Sequence, residues 1–97
     1  MRHAAVTGWG KCLPPAVLTN ADLATFLDTN DEWITQRTGI KQRRIVEAGT
    51  TTRDLARQAL LQAIENARLT PGQIDLLICA TITPEMSCPA TGVRLAA

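Results

Sequence analysis

The sequence predicts an α/β fold, and three stretches of the chain support this prediction. Residues 74–82 are almost entirely apolar, as in a strand covered on both faces of a parallel sheet. Residues 52–67 show the helical recurrence of apolar side chains that is typical of one buried stripe. Residues 3–9 form another short apolar stretch and predict a further strand. A chain of 97 residues provides at most one domain of this class.

The overall composition is that of an ordinary globular chain. Hydrophobic residues make up 45% and charged residues 20% of the sequence, and the formal net charge is only +1. This balance excludes a polycationic nucleic-acid-binding tail and gives no general attraction to anionic membranes. No apolar run approaches the roughly 18 residues of a membrane span, and no secretory signal pattern is visible. We therefore expect a soluble, cytoplasmic protein that binds neither nucleic acid nor a membrane.

The first strand is followed by a turn and a short helix. Pro14 and Pro15 end the strand, because proline cannot donate a hydrogen bond to a sheet. Asn20, a residue type favoured at helix N-termini, is expected to cap a helix over residues 21–27. A polar break at residues 28–31 separates this helix from the next element.

A second short helix and a strand follow the break. Asp31 is expected to cap a helix over residues 32–38, which Gly39 ends. Residues 40–46 then predict a strand with a basic, exposed side. The basic residues on that side are Lys41, Arg43 and Arg44.

The longest helix lies in the second half of the chain, over residues 52–67. Thr51 or Thr52 can cap its start. Its buried stripe is expected to contain Leu55, Ala56, Ala59, Leu60, Ala63, Ile64 and Ala67. Pro89 suits the first turn of a last helix, which we expect over residues 90–97.

Two of these elements suggest that the chain is part of a larger α/β protein. The helix over residues 90–97 shows no glycine, asparagine or polar cap at its end. The strand over residues 74–82 needs parallel neighbours and helices on both faces, which the other predicted elements are too few to supply. We therefore expect residues 1–97 to be one segment of a longer protein.

A glycine pair near the N-terminus only partly fits a dinucleotide-binding motif. Gly8 and Gly10 have the right spacing, but the third position is Leu13 instead of glycine. Pro14 follows where a helix should begin. A strand end with close backbone packing is the favoured interpretation.

The three cysteines are Cys12, Cys79 and Cys88. Their odd number and wide spacing favour neither a disulfide framework nor a zinc site, and we expect no bound metal. Cys88 precedes a predicted helix, where a cysteine can act as a nucleophile. The only histidine, His3, is far away in the sequence, so a small apolar residue at a buried or interface position is the favoured alternative.

Trp33 and Arg37 form the third candidate. Residues four apart on a helix share one face. The indole ring could stack on a purine, and the guanidinium could contact a phosphate or the purine. Thr29, in the preceding break, offers a hydroxyl nearby. An ordinary exposed Trp–Arg packing contact is the alternative, and spacing alone favours it.

A resemblance to a known family favours the ligand-binding interpretation of Trp33 and Arg37 over the packing contact. The T-N-D-E-W-I run at residues 29–34 and the R-T-G-I run at residues 37–40 resemble β-ketoacyl-acyl carrier protein synthase III, one of the thiolase-like condensing enzymes. Three further motifs occur in the family's order along the chain. They are G-x-G-x-x-L-P at residues 8–14, T-N-x-D-L at residues 19–23 and Q-I-D-L at residues 73–76.

The resemblance implies a fold and a reaction. The fold is thiolase-like, with two similar halves per subunit and two subunits per dimer, and residues 1–97 would be the N-terminal part of the first half. The reaction condenses an acyl-CoA primer, usually acetyl-CoA, with malonyl-acyl carrier protein to start fatty acid synthesis. No separate cofactor is implied, because the CoA thioester is a substrate.

The resemblance also implies roles for individual residues. Trp33 would stack on the adenine of CoA, Arg37 would contact its nucleotide and phosphates, and Thr29 would lie beside the adenine. The catalytic cysteine, histidine and asparagine are all expected beyond Ala97, so the 97-residue chain alone is expected to be inactive. Cys88 would then reach across the dimer interface to the end of the partner's acyl pocket, where a bulky aromatic residue is frequent.

Two alternatives stay open on the sequence alone. The chain could be a non-catalytic truncated fragment that keeps part of a nucleotide-binding surface. It could also come from a synthase III relative of secondary metabolism that uses a different acyl acceptor.

Overall fold

The computed structural model describes residues 2–84, 86 and 88–97. The chain divides into two compact units. We call Leu13–Ala48 the hairpin unit, and Met1–Cys12 together with Gly49–Ala97 the helical unit. None of the helices in the described part of the chain is long and apolar enough to cross a membrane.

The hairpin unit consists of two short strands and two short helices. In chain order they are β1 (Ala16–Thr19), α1 (Asn20–Ala24), α2 (Asp31–Thr38) and β2 (Gln42–Ile45). The two strands pair antiparallel, with Ala16 opposite Ile45. Because α1 and α2 both lie between the strands in sequence, this pairing closes the unit on itself.

The start of α1 differs from the prediction by one residue. Thr19, not Asn20, caps the helix: its hydroxyl accepts the Asp22 N–H at 3.1 Å, and the Asp22 carboxylate accepts the Thr19 N–H at 2.9 Å. This reciprocal capping box satisfies two backbone donors at once, which a cap at Asn20 would not. Asn20 is instead the first helical residue and is buried.

The α2 helix confirms its predicted end and corrects its predicted start. Gly39 ends it with a left-handed φ of 72°, the conformation for which glycine is suited. Asn30 is the cap, because its side-chain oxygen accepts the Trp33 N–H at 2.8 Å. Asp31 was expected as the cap and is the first residue of the helix instead.

The β2 strand lies within the strand predicted over residues 40–46, whereas β1 was not predicted. The prolines before β1 suggested a turn, but they stop just short of the four residues that pair with β2. One basic residue of β2 also differs from the prediction. Arg43 is part-buried and donates to the Leu18 carbonyl at 3.2 Å, whereas Lys41 and Arg44 are exposed.

The helical unit contains the long helix α3 (Thr52–Asn66), a 3₁₀ turn (Pro71–Gln73) and the short helix α4 (Thr91–Ala96). Thr51 caps α3 in a second capping box, which it forms with Asp54. The seven apolar residues predicted to face inward are all buried or half-buried, with Ile64 the most buried. The helix predicted over residues 90–97 is confirmed as α4, one residue shorter at each end.

Residues 74–82 do not form the predicted strand. The only sheet among the described residues is the β1–β2 pair, and a strand requires a hydrogen-bonded neighbour. The segment nevertheless alternates as a strand does, with Leu77, Cys79 and Thr81 half-buried. The opposite face is apolar and open: Leu76 is 77%, Ile78 83% and Ile82 98% exposed. Both faces of the segment were predicted to be covered, and the described residues cover one of them.

Residues 3–9 likewise form no paired strand, but their C-terminal end packs closely on α3. A Cβ atom on Gly8 would lie 2.6 Å from the Ala63 carbonyl oxygen, and one on Gly10 would contact the Ala59 carbonyl oxygen. The Lys11 N–H also donates to Gln62 Oε1 at 2.7 Å. This geometry confirms that close backbone packing, and not a dinucleotide motif, accounts for the glycines.

Candidate functional site

Trp33 and Arg37 lie against each other on α2, as their spacing predicted. The guanidinium carbon of Arg37 is 5.0 Å from the centroid of the Trp33 ring, which is a cation–π distance. Arg37 is exposed, and the Trp33 side chain is 52% exposed. The helix contains no buried residue at all. A large aromatic surface and a cation are therefore displayed together where a ligand can reach them.

Thr29 lies two residues before the first residue of α2. Its backbone N–H donates to the Leu27 carbonyl at 2.9 Å, which holds the residue in a tight turn. Its hydroxyl oxygen is buried and has no hydrogen-bond partner among the described residues. A hydroxyl can donate one hydrogen bond and accept two, so Thr29 keeps unused hydrogen-bonding capacity beside the start of α2.

A buried amide connects the start of α2 to the rest of the hairpin unit. Asn20 is only 1% exposed. Its Nδ2 donates to Asp31 Oδ1 and to the Ile40 carbonyl, both at 2.8 Å. Its Oδ1 accepts from Arg43 at 2.7 Å. All the donors of this amide are used, so its orientation is fixed by three hydrogen bonds.

The same network sets the charge at the first turn of α2. The hydrogen bond from Asn20 is the main cause that holds the pKa of Asp31 below its ordinary value, although desolvation by the neighbouring residues opposes it. Lys41, 3.4 Å away, and the Thr35 hydroxyl lower the pKa further. Asp31 is therefore ionised at neutral pH, which is favourable at a helix N-terminus.

Cys88 belongs to the helical unit and lies in the loop before α4. Its side chain is exposed. Of the other two cysteines, Cys79 lies on the half-buried face of residues 74–82, and Cys12 donates a weak hydrogen bond to Gln58 at 3.2 Å. Residues 2–84, 86 and 88–97 contain no group of three His, Cys, Asp or Glu side chains that could hold a metal ion.

An apolar cleft of about 250 Å³ lies within the helical unit. It is bounded by α3, by α4 and by the segment that follows the 3₁₀ turn, with Leu60, Leu77 and Leu95 among its lining residues. Asp75 is the only charged side chain in the lining. The cleft can take an apolar group, but it offers little to orient a polar ligand.

Comparisons with known proteins agree with the geometry. No protein-family model matches the chain. The chain is 52% identical over 96 residues to β-ketoacyl-acyl-carrier-protein synthase III 3 of Streptomyces coelicolor, covering 99% of this chain and 29% of that protein. The crystal structure of 3-oxoacyl-acyl-carrier-protein synthase III from Aquifex aeolicus has a TM-score of 0.81 and 47% identity, covering 93% of this chain and 29% of that one. The priming β-ketosynthase of a polyketide biosynthetic pathway gives a TM-score of 0.85 at 35% identity, covering 98% and 28%.

By these matches the chain corresponds to part of the fold that the thiolase-like condensing enzymes share. More particularly, the chain is a homologue of the β-ketoacyl-acyl-carrier-protein synthase III proteins. It spans about 29% of the length of the Streptomyces coelicolor protein. The resemblance that the DEWI and RTGI runs indicated is thereby confirmed.

Sequence reasoning did not find the buried amide network around Asn20. The T-N-x-D-L motif contains this residue, but it was assigned a capping role that Thr19 performs. The one available signal was the T-x-x-D spacing of residues 19 and 22, which favours Thr19 as the cap. With Thr19 as the cap, a different role for Asn20 would have had to be sought.

Proposed function

We propose that this chain supplies the CoA-recognition helix of an acyl-CoA-dependent β-ketoacyl synthase. The observation that carries the proposal is the exposed Trp33–Arg37 pair, 5.0 Å apart, on a helix without buried residues. A half-exposed indole ring leaves a flat apolar face on which an aromatic ligand can stack, and a purine is such a ligand. The close relationship to the synthase III proteins supports CoA as the source of that purine.

Each of the three side chains has a role in this proposal. Trp33 stacks on the adenine ring, and Arg37 pairs with the phosphates of the CoA nucleotide. Thr29 lies beside the adenine through the exposed part of its side chain, since its hydroxyl oxygen is buried. Together they hold one end of the thioester substrate, so that its acyl group is delivered to a reaction centre formed by other residues.

The proposed reaction is the condensation of an acyl-CoA primer with malonyl-acyl carrier protein. A cysteine thiolate attacks the primer thioester and CoA leaves, which gives an acyl-enzyme. Malonyl-acyl carrier protein loses CO₂, and the resulting enolate attacks the acyl-enzyme to give β-ketoacyl-acyl carrier protein and the free thiolate. The cysteine and the assisting histidine and asparagine are expected outside residues 1–97, in a homodimeric enzyme that needs no further cofactor.

Cys88 has a different role in the proposal. It lies at the dimer interface and closes the end of the partner's acyl pocket. Its exposure in this chain leaves the side chain free for such a contact. A cysteine is small, so this position would leave room for primers longer than acetyl.

A second candidate is a priming synthase of secondary metabolism. The structural match to the priming β-ketosynthase of a polyketide pathway favours it. Both candidates use Trp33, Arg37 and Thr29 in the same way, because both begin from an acyl-CoA. They differ in the carrier protein that accepts the acyl group, so assays with carrier proteins of both types distinguish them.

The test uses the complete enzyme that contains this chain, with the variants Trp33→Ala and Arg37→Ala. We expect Trp33→Ala to raise the KM for acyl-CoA about tenfold or more, because one base-stacking contact is lost. Arg37→Ala should raise it about tenfold as well, because charge-assisted hydrogen bonds to phosphate are lost. The KM for malonyl-acyl carrier protein should not change, because that substrate carries no adenine. Arg57→Ala, at an exposed arginine of α3, is the control for the loss of a positive charge. Unchanged acyl-CoA kinetics in both variants would contradict the proposal and show that Trp33 and Arg37 form a packing contact without a role in CoA binding.

A further inference from the structure

No fully buried apolar side chain fixes the orientation of α2, whose most covered apolar residue, Ile34, is half-buried. The helix has no buried residue, and Trp33 and Arg37 both point to solvent. A helix without a buried stripe needs another source of fixed position. In the hairpin unit that source is the pair of hydrogen bonds that Asn20 and Lys41 donate to its first residue, Asp31.

The most buried of the groups bound to Asp31 is Asn20. It has the largest fully buried side chain in the described part of the chain. One Nδ2 hydrogen reaches Asp31 in α2, and the other reaches the Ile40 carbonyl just before β2. Its backbone N–H also donates to the Lys41 carbonyl at 3.2 Å. Asn20 therefore joins α1, α2 and the start of β2 at one point.

Arg43 fixes Asn20 from the other side. One of its nitrogens donates to Asn20 Oδ1 at 2.7 Å, and the other donates to the Leu18 carbonyl of β1 at 3.2 Å. The planar guanidinium holds both acceptors in a set geometry. The chain of contacts thus runs from both strands, through Asn20, to the residue two positions before Trp33.

We infer that Asn20, held by Arg43, is a positioning residue for acyl-CoA binding, because it sets where α2 presents Trp33 and Arg37. This inference rests on the proposed function of those two side chains. Its physical basis is that a binding group displaced by about 1 Å can lose most of its contribution. A broken link at Asp31 would let α2 turn while both strands and the apolar stripe of α3 keep their contacts.

Two substitutions at Asp31 in the complete enzyme separate the link from its charge. Asp31→Asn and Asp31→Ala both remove the carboxylate and its ion pair with Lys41. Only Asp31→Ala also removes the acceptor for Asn20, because an asparagine at this position keeps a side-chain oxygen. We expect Asp31→Ala to raise the KM for acyl-CoA about tenfold. Asp31→Asn should raise the KM by less than about threefold, since a hydrogen bond between two uncharged side chains remains at this position.

Exchanging the side chains of Asn20 and Asp31 tests the same hydrogen bond by changing its buried partner. Asn20→Asp alone places a second carboxylate against Asp31 and should raise the KM for acyl-CoA. Asn20→Asp combined with Asp31→Asn restores the hydrogen bond between these two positions with donor and acceptor exchanged, and it keeps the contact with Arg43. It does not restore the donor to the Ile40 carbonyl, so the double variant should recover part, and not all, of the affinity that Asn20→Asp loses. Asn66→Asp is the control, because the side-chain hydrogen bond that Asn66 donates, to the Trp9 carbonyl, lies in the helical unit.

The measurements are the KM for acyl-CoA, the KM for malonyl-acyl carrier protein and the thermal midpoint of each variant. A positioning role changes the first and leaves the second unchanged. Equal acyl-CoA KM values for Asp31→Ala and Asp31→Asn would overturn the inference, as would a failure of the double variant to recover. Trp33→Ala in the same series keeps the two proposals distinct. If it raises the KM while Asp31→Ala does not, only the positioning role fails, and if Trp33→Ala has no effect, the proposed function fails.

Discussion

Gly8 and Ala63 approach each other so closely that their backbones leave no room for a side chain between them. A Cβ atom on Gly8 would lie 2.6 Å from the Ala63 carbonyl oxygen and 2.6 Å from the Ala67 nitrogen. Both neighbours are backbone atoms of the region around the end of α3, so neither can move aside as a side chain would. The small residues at these positions are therefore what allows the N-terminal segment to lie directly on the helix.

Gly8→Ala should destabilise the complete enzyme by about 1–3 kcal/mol, the usual range for overpacking at a site that cannot relax. Gly72→Ala is the matched control, because a Cβ atom there meets nothing within 4 Å. Its effect should stay within about 0.5 kcal/mol, as for most surface changes. The measurement is the thermal or denaturant midpoint of each variant. Equal losses at the two glycines would contradict the close packing of Gly8 on α3.

The stability of α3 should depend on pH through Asp54. The hydrogen bond from the Thr51 N–H, followed by the one with the Thr51 side chain, lowers the pKa of Asp54 below its ordinary value. A carboxylate with a lowered pKa in the folded state stabilises the fold above its unfolded pKa, and this contribution is lost as the pH falls through the folded pKa. Asp54→Asn keeps an acceptor for the cap but does not titrate.

We therefore expect a difference between the wild-type and Asp54→Asn stability curves that is largest at neutral pH and shrinks in acid. Thermal midpoints measured from neutral pH down into the acidic range provide both curves. Asp28→Asn, at an exposed residue between α1 and α2, controls for the loss of a negative charge. A constant offset at all pH values would show that the capping box with Thr51 does not depend on ionisation.

Cys88→Phe should shift the primer preference of the complete enzyme toward acetyl-CoA. If position 88 closes the partner's acyl pocket, a phenyl ring there removes space for longer chains. Each CH₂ group buried in such a pocket contributes about 0.8 kcal/mol, so the wild type should gain several-fold per carbon until the space is filled. A chain-length series of acyl-CoA primers measures this directly. Serine is close in size to cysteine, so Cys88→Ser should keep the wild-type chain-length profile. An unchanged profile in Cys88→Phe would show that Cys88 does not line the acyl pocket.

The purified 97-residue chain should self-associate. Leu76, Ile78 and Ile82 present an open apolar face, with exposures from 77% to 98%. Unpaired strand-like segments with apolar faces associate with one another in water. Size-exclusion chromatography at increasing concentration should therefore show species larger than a monomer, together with binding of an apolar dye.

Serine at all three of those positions should reduce the association. Leu77→Ser is the matched control, because Leu77 is on the half-buried face of the same segment. It should weaken the fold without removing the association. A wild-type chain that remains a monodisperse monomer with a sharp cooperative melt would contradict this expectation.

Local patterns in the sequence predicted some parts of the structure very well. The inward face of α3 is correct at every residue, because a helix that buries one stripe must repeat its apolar residues with the helical period. The Trp33–Arg37 contact is likewise correct, since it needs only residues four apart on one helix. The end of α2 at Gly39 depends on a conformation that glycine adopts readily.

The features that were missed depend on contacts between distant residues. Arg43 was expected on an exposed face, but its partner Asn20 is 23 positions away and no local pattern connects them. The strand expected over residues 74–82 was predicted to be covered on both faces, but its exposure alternates and it has no neighbour to pair with among the described residues. The predicted CoA contacts of Trp33, Arg37 and Thr29 and the pocket role of Cys88 stay predictions.

The absence of buried residues in α2 has an evolutionary consequence. The side chains proposed to recognise CoA and the side chains that form the apolar stripe of α3 are separate sets, so selection can act on one without disturbing the other. A lineage could retune its preference for a thioester by substitutions on the outer surface of α2 at little cost in folding. Homologues with different substrates would then vary at such positions while they retain Asn20 and the alanines that face the N-terminal glycines.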